Sequence, residues 1–322
     1  MLRLITQDSQ ILEWSESSPT PIPENRVFLD LLNPTLGELS LVEKSLGHSL
    51  PKREEMEEIE ESSRLYMEGE IIYLTTWVPV GVETAVPENT AISFILSSRS
   101  LAVVRHADPL AFRVLPDLIQ KHCTPPLTSD AIFLLLMERI LSRIADSLRT
   151  VEADLKKISR DIFSVDTAPS CTRRNPGDLD PVVRLLGRRN QFVANLRECL
   201  LSTSRVLQYF LSQATPWIKV ELAAHFRSVV RDVKSLDDYA NQQTQEMAFL
   251  LDSTLGLINL QQSRVMRILT RVCIMLLPPT LLATIYGMHF GPEIRLNPVA
   301  IALTLIAATL LPIAVLRWKK LV

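Results

Sequence analysis

The residues able to handle a metal ion or a proton gather in one stretch, Arg264 to Asn297. His289 stands directly after Tyr286-Gly287-Met288, at the end of an uncharged run. An imidazole can bind a borderline divalent ion through nitrogen, or accept a hydrogen bond from a water on a harder ion. Upstream, Thr270, Cys273, Leu277, Thr280, Thr284 and Gly287 recur at spacings of three and four. That spacing puts small and polar residues on one helix face, Leu277 excepted. Ile274, Leu281, Leu282 and Ile285 fall on the opposite face. Two uses fit the polar face. One is close helix–helix packing in a bilayer; the other is a pore lining in which hydroxyls and an apolar constriction face water. Two helices cannot enclose a pore, so the second use requires an oligomer. Cys273 adds a soft sulfur, although a lone membrane cysteine is more often a packing residue.

Little else in the chain offers chemistry. His48, His106, His122 and His225 are scattered, with no His-x-x-x-His or His-Glu-x-x-His spacing. No Walker loop and no Gly-x-Gly-x-x-Gly occurs, so the sequence reads as non-enzymatic and without an organic cofactor. Any transport would then be passive, driven by the membrane potential at about 2.3 kcal/mol per charge per 100 mV. A net charge of −2 gives no reason to expect nucleic acid. Cys123, Cys171, Cys199 and Cys273 form no Cys-x-x-Cys pair, so reduced intracellular thiols are expected. Asp8, Glu13 and Glu16 interrupt the N-terminal region, which lacks a signal-peptide layout; the soluble body is expected on the synthesis side of the membrane.

The elements that must position this stretch divide into three parts. Residues 1–126 read as a cytoplasmic α/β domain. Short strands are expected over Leu2–Ile5, Ile11–Trp14 and Arg26–Leu31, and a helix from N-cap Thr35 to Leu46 before Gly47. The acidic run Lys52 to Glu61 reads as a solvated face or turn. Two strand pairs follow, Arg64–Tyr66 with Ile71–Val80 and Ala91–Leu96 with Leu101–Arg105, then one helix from Pro109 to Cys123.

Residues 127–271 read as a stalk of long helices. Ile132, Leu136, Ile140, Ile144, Leu148, Val151, Leu155, Ile158 and Ile162 make one apolar stripe. After a break at Thr167–Pro181, Val182, Leu186, Val193, Leu196, Leu200, Leu207 and Phe210 make a second, so the two helices should form an antiparallel hairpin. Thr215-Pro216 has the form of a helix start. One helix from there to Met288 would reach about 105 Å at 1.5 Å per residue. Its stripe is Met247, Leu250, Leu251, Leu255, Ile258, Val265, Ile268 and Leu269.

Residues 272–322 read as a membrane hairpin: a first span over 272–288, an outer loop over 289–297, a second span over 298–316 and a tail over 317–322. Both spans are uncharged, and the first is short for a transmembrane helix. Arg264, Arg267 and Arg271 precede the first span, and Arg317, Lys319 and Lys320 follow the second. The positive-inside rule therefore puts both termini in the cytoplasm. Pro278-Pro279 removes two backbone donors in mid-span, so a kink or an altered backbone is expected there.

The chain resembles the CorA family of divalent-cation transporters. The resemblance is carried by Leu277-Pro278-Pro279-Thr280-Leu281, Ile285-Tyr286-Gly287-Met288, Pro292-Glu293 and the ending Arg317-Trp318-Lys319-Lys320. Gly256-Leu257-Ile258-Asn259, Leu29 to Pro34 and the acidic Glu54–Glu61 run add to it. It implies an α+β membrane protein of the bacterial inner membrane, assembled as a homopentamer, with lipid and its own copies as partners and metal ions as sole substrates. Ser263, Met266, Leu269, Cys273, Leu277, Thr280 and Thr284 would line the pore, and Glu293 would attract ions at the outer loop. Regulatory carboxylates would come from residues such as Glu57, Glu58, Glu61, Asp232 and Asp252. The family's selectivity signature is Tyr-Gly-Met-Asn; here Gly287 and Met288 match and His289 replaces the asparagine. Asparagine oxygen suits the tightly held water shell of Mg2+. Imidazole suits Zn2+, Co2+ or Ni2+, and a protonated ring of histidines would repel cations, so flux should fall as pH drops through about 6.5. Divalent conduction shifted toward transition metals, Zn2+ foremost, is the expectation. Mg2+ uptake and a non-transporting scaffold or sensor remain the alternatives.

Overall fold

The computed structural model describes residues 2–14, 22–58, 60–81, 87–122, 126–163, 179–214, 217–287 and 302–310. They divide into two compact units, 1–169 with 182–250 and 170–181 with 251–322.

The first unit is built on seven strands: β1 (Leu2–Thr6), β2 (Ile11–Trp14), β3 (Arg26–Leu32), β4 (Leu65–Glu68), β5 (Ile71–Val80), β6 (Glu88–Leu96) and β7 (Leu101–Arg105). They form one sheet in the order β2-β1-β3-β7-β6-β5-β4. Only β3 and β7 run parallel, Phe28 opposite Leu101 through Leu32 opposite Arg105. Every other neighbouring pair is antiparallel. Central strands read as near-continuous apolar runs because both faces are covered. One face, including Leu29, Leu31, Tyr73, Ile95 and Val104, packs with Val42, Leu50 and Met56. Those last residues belong to or flank α1 (Leu36–Leu46) and α2 (Arg53–Met56). On the other face Phe94 meets Phe133 at 5.3 Å, edge to face, and Thr76 bonds Ser202 at 3.0 Å.

α1 forms as its sequence dictates. Thr35 accepts from the Glu38 amide at 3.1 Å, Glu38 accepts from the Thr35 amide at 3.0 Å, and Gly47 closes the helix at φ 81°. The acidic run gives α2 and then α3 (Glu61–Arg64), so Arg64 ends a helix instead of starting a strand. The single helix expected from Pro109 is two, α4 (Leu110–Arg113) and α5 (Leu115–His122). Pro116 explains the break: it has no amide to donate to Phe112, and its ring crowds the preceding turn.

α6 (Ser129–Phe163) and α7 (Asp180–Gln213) are the two helices of the expected hairpin, and the expected α6 stripe is buried throughout. They are antiparallel: Phe133 near the start of α6 meets Phe210 near the end of α7 at 5.0 Å, while Asp154 meets Arg189 at 2.6 Å. α8 (Val220–Gly287) is 68 residues long, and its first part joins them. Phe226 packs at a tilt against Phe133 at 5.8 Å and Phe210 at 4.8 Å, Gln243 donates to the Leu148 carbonyl at 2.8 Å, and Arg197 bonds Asp237 at 3.2 Å. Thr215-Pro216 and most of the expected break at 167–181 lie outside the described residues. The helix itself begins later than expected. The Trp217 and Ile218 amides both bond the Ala214 carbonyl, closing a turn first, and Lys219 accepts the first helical bond, from Ala223.

In the second unit α8 continues without interruption to Gly287, and residues 302–310 are helical. The expected disturbance at Pro278 and Pro279 does not end the helix.

Candidate pore and selectivity segment

Along α8 the environment of the apolar stripe changes. Met247 and Leu250 are buried; Leu255, Val265, Ile268 and Leu269 are exposed. An 18-residue window of this helix has a mean hydropathy of 1.8 with none of it buried in the chain. Apolar surface on this scale requires a bilayer or other copies to cover it. Among the described residues this is the one helix long and apolar enough to span a membrane.

Ser263, Met266, Leu269, Cys273, Leu277, Thr280 and Thr284 are all exposed. The threonine hydroxyls are engaged in a specific way. Thr270 donates to the Met266 carbonyl at 2.8 Å, Thr280 to the Leu276 carbonyl at 2.9 Å, and Thr284 to the Thr280 carbonyl at 2.7 Å. Each hydroxyl proton is thus committed to the helix, and the oxygen turns lone pairs outward. The waters of a hydrated cation point their hydrogens away from the ion. Outward-facing acceptors match that shell without displacing it.

Gly287 ends α8, whereas Met288, His289 and Glu293 lie outside the described residues. Among the described residues the proposed sensing carboxylates form no metal-holding group. Glu57 is held by Arg53 at 3.1 Å, Glu58, Asp232 and Asp252 are exposed, and Glu61 opens α3. Among the described residues no three His, Cys, Asp or Glu side chains converge to hold a metal. Glu138 on α6 is pushed above the usual carboxylate range by burial, with His225 opposing and Asp232 adding to the shift. Cys199 is buried and its thiol pushed far up, while Cys273 is exposed.

Sequence reasoning missed a buried ion pair in the sheet. Arg105 on β7 grips Asp30 on β3 through two bonds of 2.7 and 2.9 Å, reaches Asp108 at 2.6 Å, and lies 4.8 Å over the Phe112 ring. Burial works against the Arg105 charge, but its bonds to Asp30 and Asp108 outweigh it and raise its pKa. The pair ties together the one parallel junction of the sheet. Its signal was a charge inside one apolar strand, Leu29-Asp30-Leu31, and another at the end of a second, Val103-Val104-Arg105.

Residues 24–319 match the family described as CorA-like Mg2+ transporter protein. The chain belongs to the CorA family. As a CorA-family chain it is a membrane protein of divalent metal-ion transport, not an enzyme. It is 28% identical over 299 residues to the magnesium transport protein CorA of Haemophilus influenzae, covering 91% of each chain. It is also 28% identical over 288 residues to that of Escherichia coli strain K12, covering 88% of this chain and 86% of that one. The fold matches the CorA magnesium transporter of Methanocaldococcus jannaschii with a TM-score of 0.75 at 16% identity, over 98% of this chain and 97% of that one. It also matches the ZntB cytoplasmic domain of Vibrio parahaemolyticus, with a TM-score of 0.58 at 11% identity, over 82% of this chain and 98% of that one. These two likenesses concern the fold of the CorA chain, not its choice of ion.

Proposed function

We propose that five copies of this chain form a passive divalent-cation channel in the bacterial inner membrane. Both termini are cytoplasmic, residues 272–288 and 298–316 span the bilayer, and 289–297 form the outer loop. The soluble parts, 1–126 and 127–271, stand on the cytoplasmic side. The pore is lined by Ser263, Met266, Leu269, Cys273, Leu277, Thr280 and Thr284, and Gly287, Met288 and His289 form its selectivity point. Glu293 draws cations to the outer mouth.

The observation that carries the selectivity reading is His289 where the family signature has asparagine. A ring nitrogen binds Zn2+, Co2+ or Ni2+ directly, which moves preference toward those ions and away from Mg2+. Mg2+ uptake is the second reading, favoured by relatives named magnesium transport proteins. Liposome flux of Zn2+, Co2+, Ni2+ and Mg2+ through wild type and His289→Asn decides between them. The histidine reading requires the asparagine variant to shift toward Mg2+. Unchanged selectivity leaves Mg2+ uptake, and no flux from an assembled pentamer leaves a scaffold or sensor. A lower flux at pH 5.5 than at 7.5, lost in His289→Asn, is the matching proton test.

A further inference from the structure

Beside the sheet, α7 turns one face, with Arg197, Leu201 and Arg205 at steps of four, toward the outer edge of β5. β4 covers β5 only as far as Leu65 opposite Leu74, so beyond Leu74 that edge has no strand neighbour among the described residues. A cavity of about 350 Å³ lies in this gap, within the first unit, with Arg64 at the end of α3 on its rim. Two features of its lining point to an anion. Three lining residues are arginines, Arg64, Arg197 and Arg205, against one acid, Glu198, which already accepts from Asn89 at 3.0 Å. Arg197 holds Asp237, and Arg64 and Arg205 also interact within the protein. A guanidinium has five N–H donors, so a protein contact and a ligand can share it. The second feature is Ser202, buried at 8% exposure. Its oxygen accepts from Thr76 Oγ1 at 3.0 Å and from the Trp77 amide at 3.2 Å. With both lone pairs taken, its proton remains to be donated, and no acceptor for it lies among the described residues.

We propose that this cavity binds a small phosphate ester. The arginines hold the phosphate oxygens through charge-assisted hydrogen bonds, and Ser202 donates its hydroxyl proton to one of them. Trp77 and Leu65, both half-buried, and the exposed Leu201 give the organic part an apolar wall. The volume is at the lower end of the range for small-ligand cavities, which admits one small molecule and not a helix about 10 Å across. Bound there, the ester ties the junction of α3 and β4 to α7. The proposal does not rest on the pore reading above.

The test is isothermal titration calorimetry of the detergent-purified full chain at low salt, with adenosine monophosphate and with inorganic phosphate. Wild type is expected to bind adenosine monophosphate saturably and more tightly than phosphate. Losing a charge-assisted hydrogen bond lowers affinity by about tenfold or more, so Arg205→Gln should weaken binding on that order and Arg205→Lys should weaken it less. Leu201→Glu, which sets a carboxylate at the rim, should abolish it. Both positions are exposed, so the urea midpoint should stay at the wild-type value in each variant. Equal affinity for the two anions overturns the ester and leaves free phosphate. No saturable binding of either, or binding that Arg205→Gln and Leu201→Glu leave unchanged, overturns the site. So does a changed oligomeric state of Leu201→Glu when wild type binds neither anion, which assigns the cavity to a second copy.

Discussion

One helix passes through two kinds of surroundings. In the first unit α8 contributes Phe226, Val229, Val233, Ala240, Met247 and Leu250 to a core that the chain completes by itself. In the second unit the same helix presents Leu269, Leu276, Leu277 and Leu281, each more than half exposed. Sequence periodicity is similar in both halves. The difference is that the first half has α6 and α7 to cover it, and the second has no such cover among the described residues. An apolar helix stripe therefore reports that something must cover it, not what does.

The widest separation of the two regions comes from truncating each. Phe133 is fully buried among Phe94, Phe210 and Phe226, so Phe133→Ala should cost about 3–5 kcal/mol by leaving a cavity. Leu281→Ala should move the unfolding of the soluble unit by no more than about 0.5 kcal/mol. Urea unfolding of the full chain in detergent, followed by tryptophan fluorescence, compares them. Similar losses would erase the distinction.

A comparable loss, about 3–5 kcal/mol, is expected for Arg105→Met, because it leaves Asp30 buried at 4% exposure without its cation. Adding Asp30→Leu to it should restore much of that stability; failure to do so would show that the pair fixes more than charge.

Thr35→Ala removes one half of the α1 capping box and should cost about 1 kcal/mol. It should leave ion flux untouched, as a cap in the sheet unit has no part in the pore.

The smallest effect is set by pH. Burial pushes Asp108 up, but hydrogen bonds from Arg105 and Arg113 outweigh it and hold the carboxyl below its usual value. A depressed carboxylate contributes stability above its unfolded pKa, about 3.9, and loses it as pH falls through the folded value. The urea midpoint should therefore drop below pH 4, and less steeply in Asp108→Asn.

Most of the first unit was legible in the sequence. Apolar runs marked the strands, Thr35 and Gly47 marked the ends of α1, and three- and four-residue steps marked α6 and α7. The misses were local. Pro116 split α4 from α5, and a turn closed on Ala214 before α8 could start. The β3–β7 junction was not readable, because pairing Phe28 with Leu101 and Leu32 with Arg105, far apart in sequence, leaves no local pattern. The candidate site was legible in a different sense. Thr280, Thr284 and Cys273 could be placed on one exposed face, but the regulatory carboxylates could not be chosen among Glu57, Glu58, Glu61, Asp232 and Asp252. A site shared between copies would have no spacing within one chain.

The central claim is that His289 turns a CorA pore toward nitrogen-loving ions. Its most direct test is the ratio of Zn2+ to Mg2+ flux into liposomes for wild type and His289→Asn at pH 7.5. The account predicts a higher ratio for wild type and a fall toward Mg2+ preference in the variant. Equal ratios in the two proteins would contradict it.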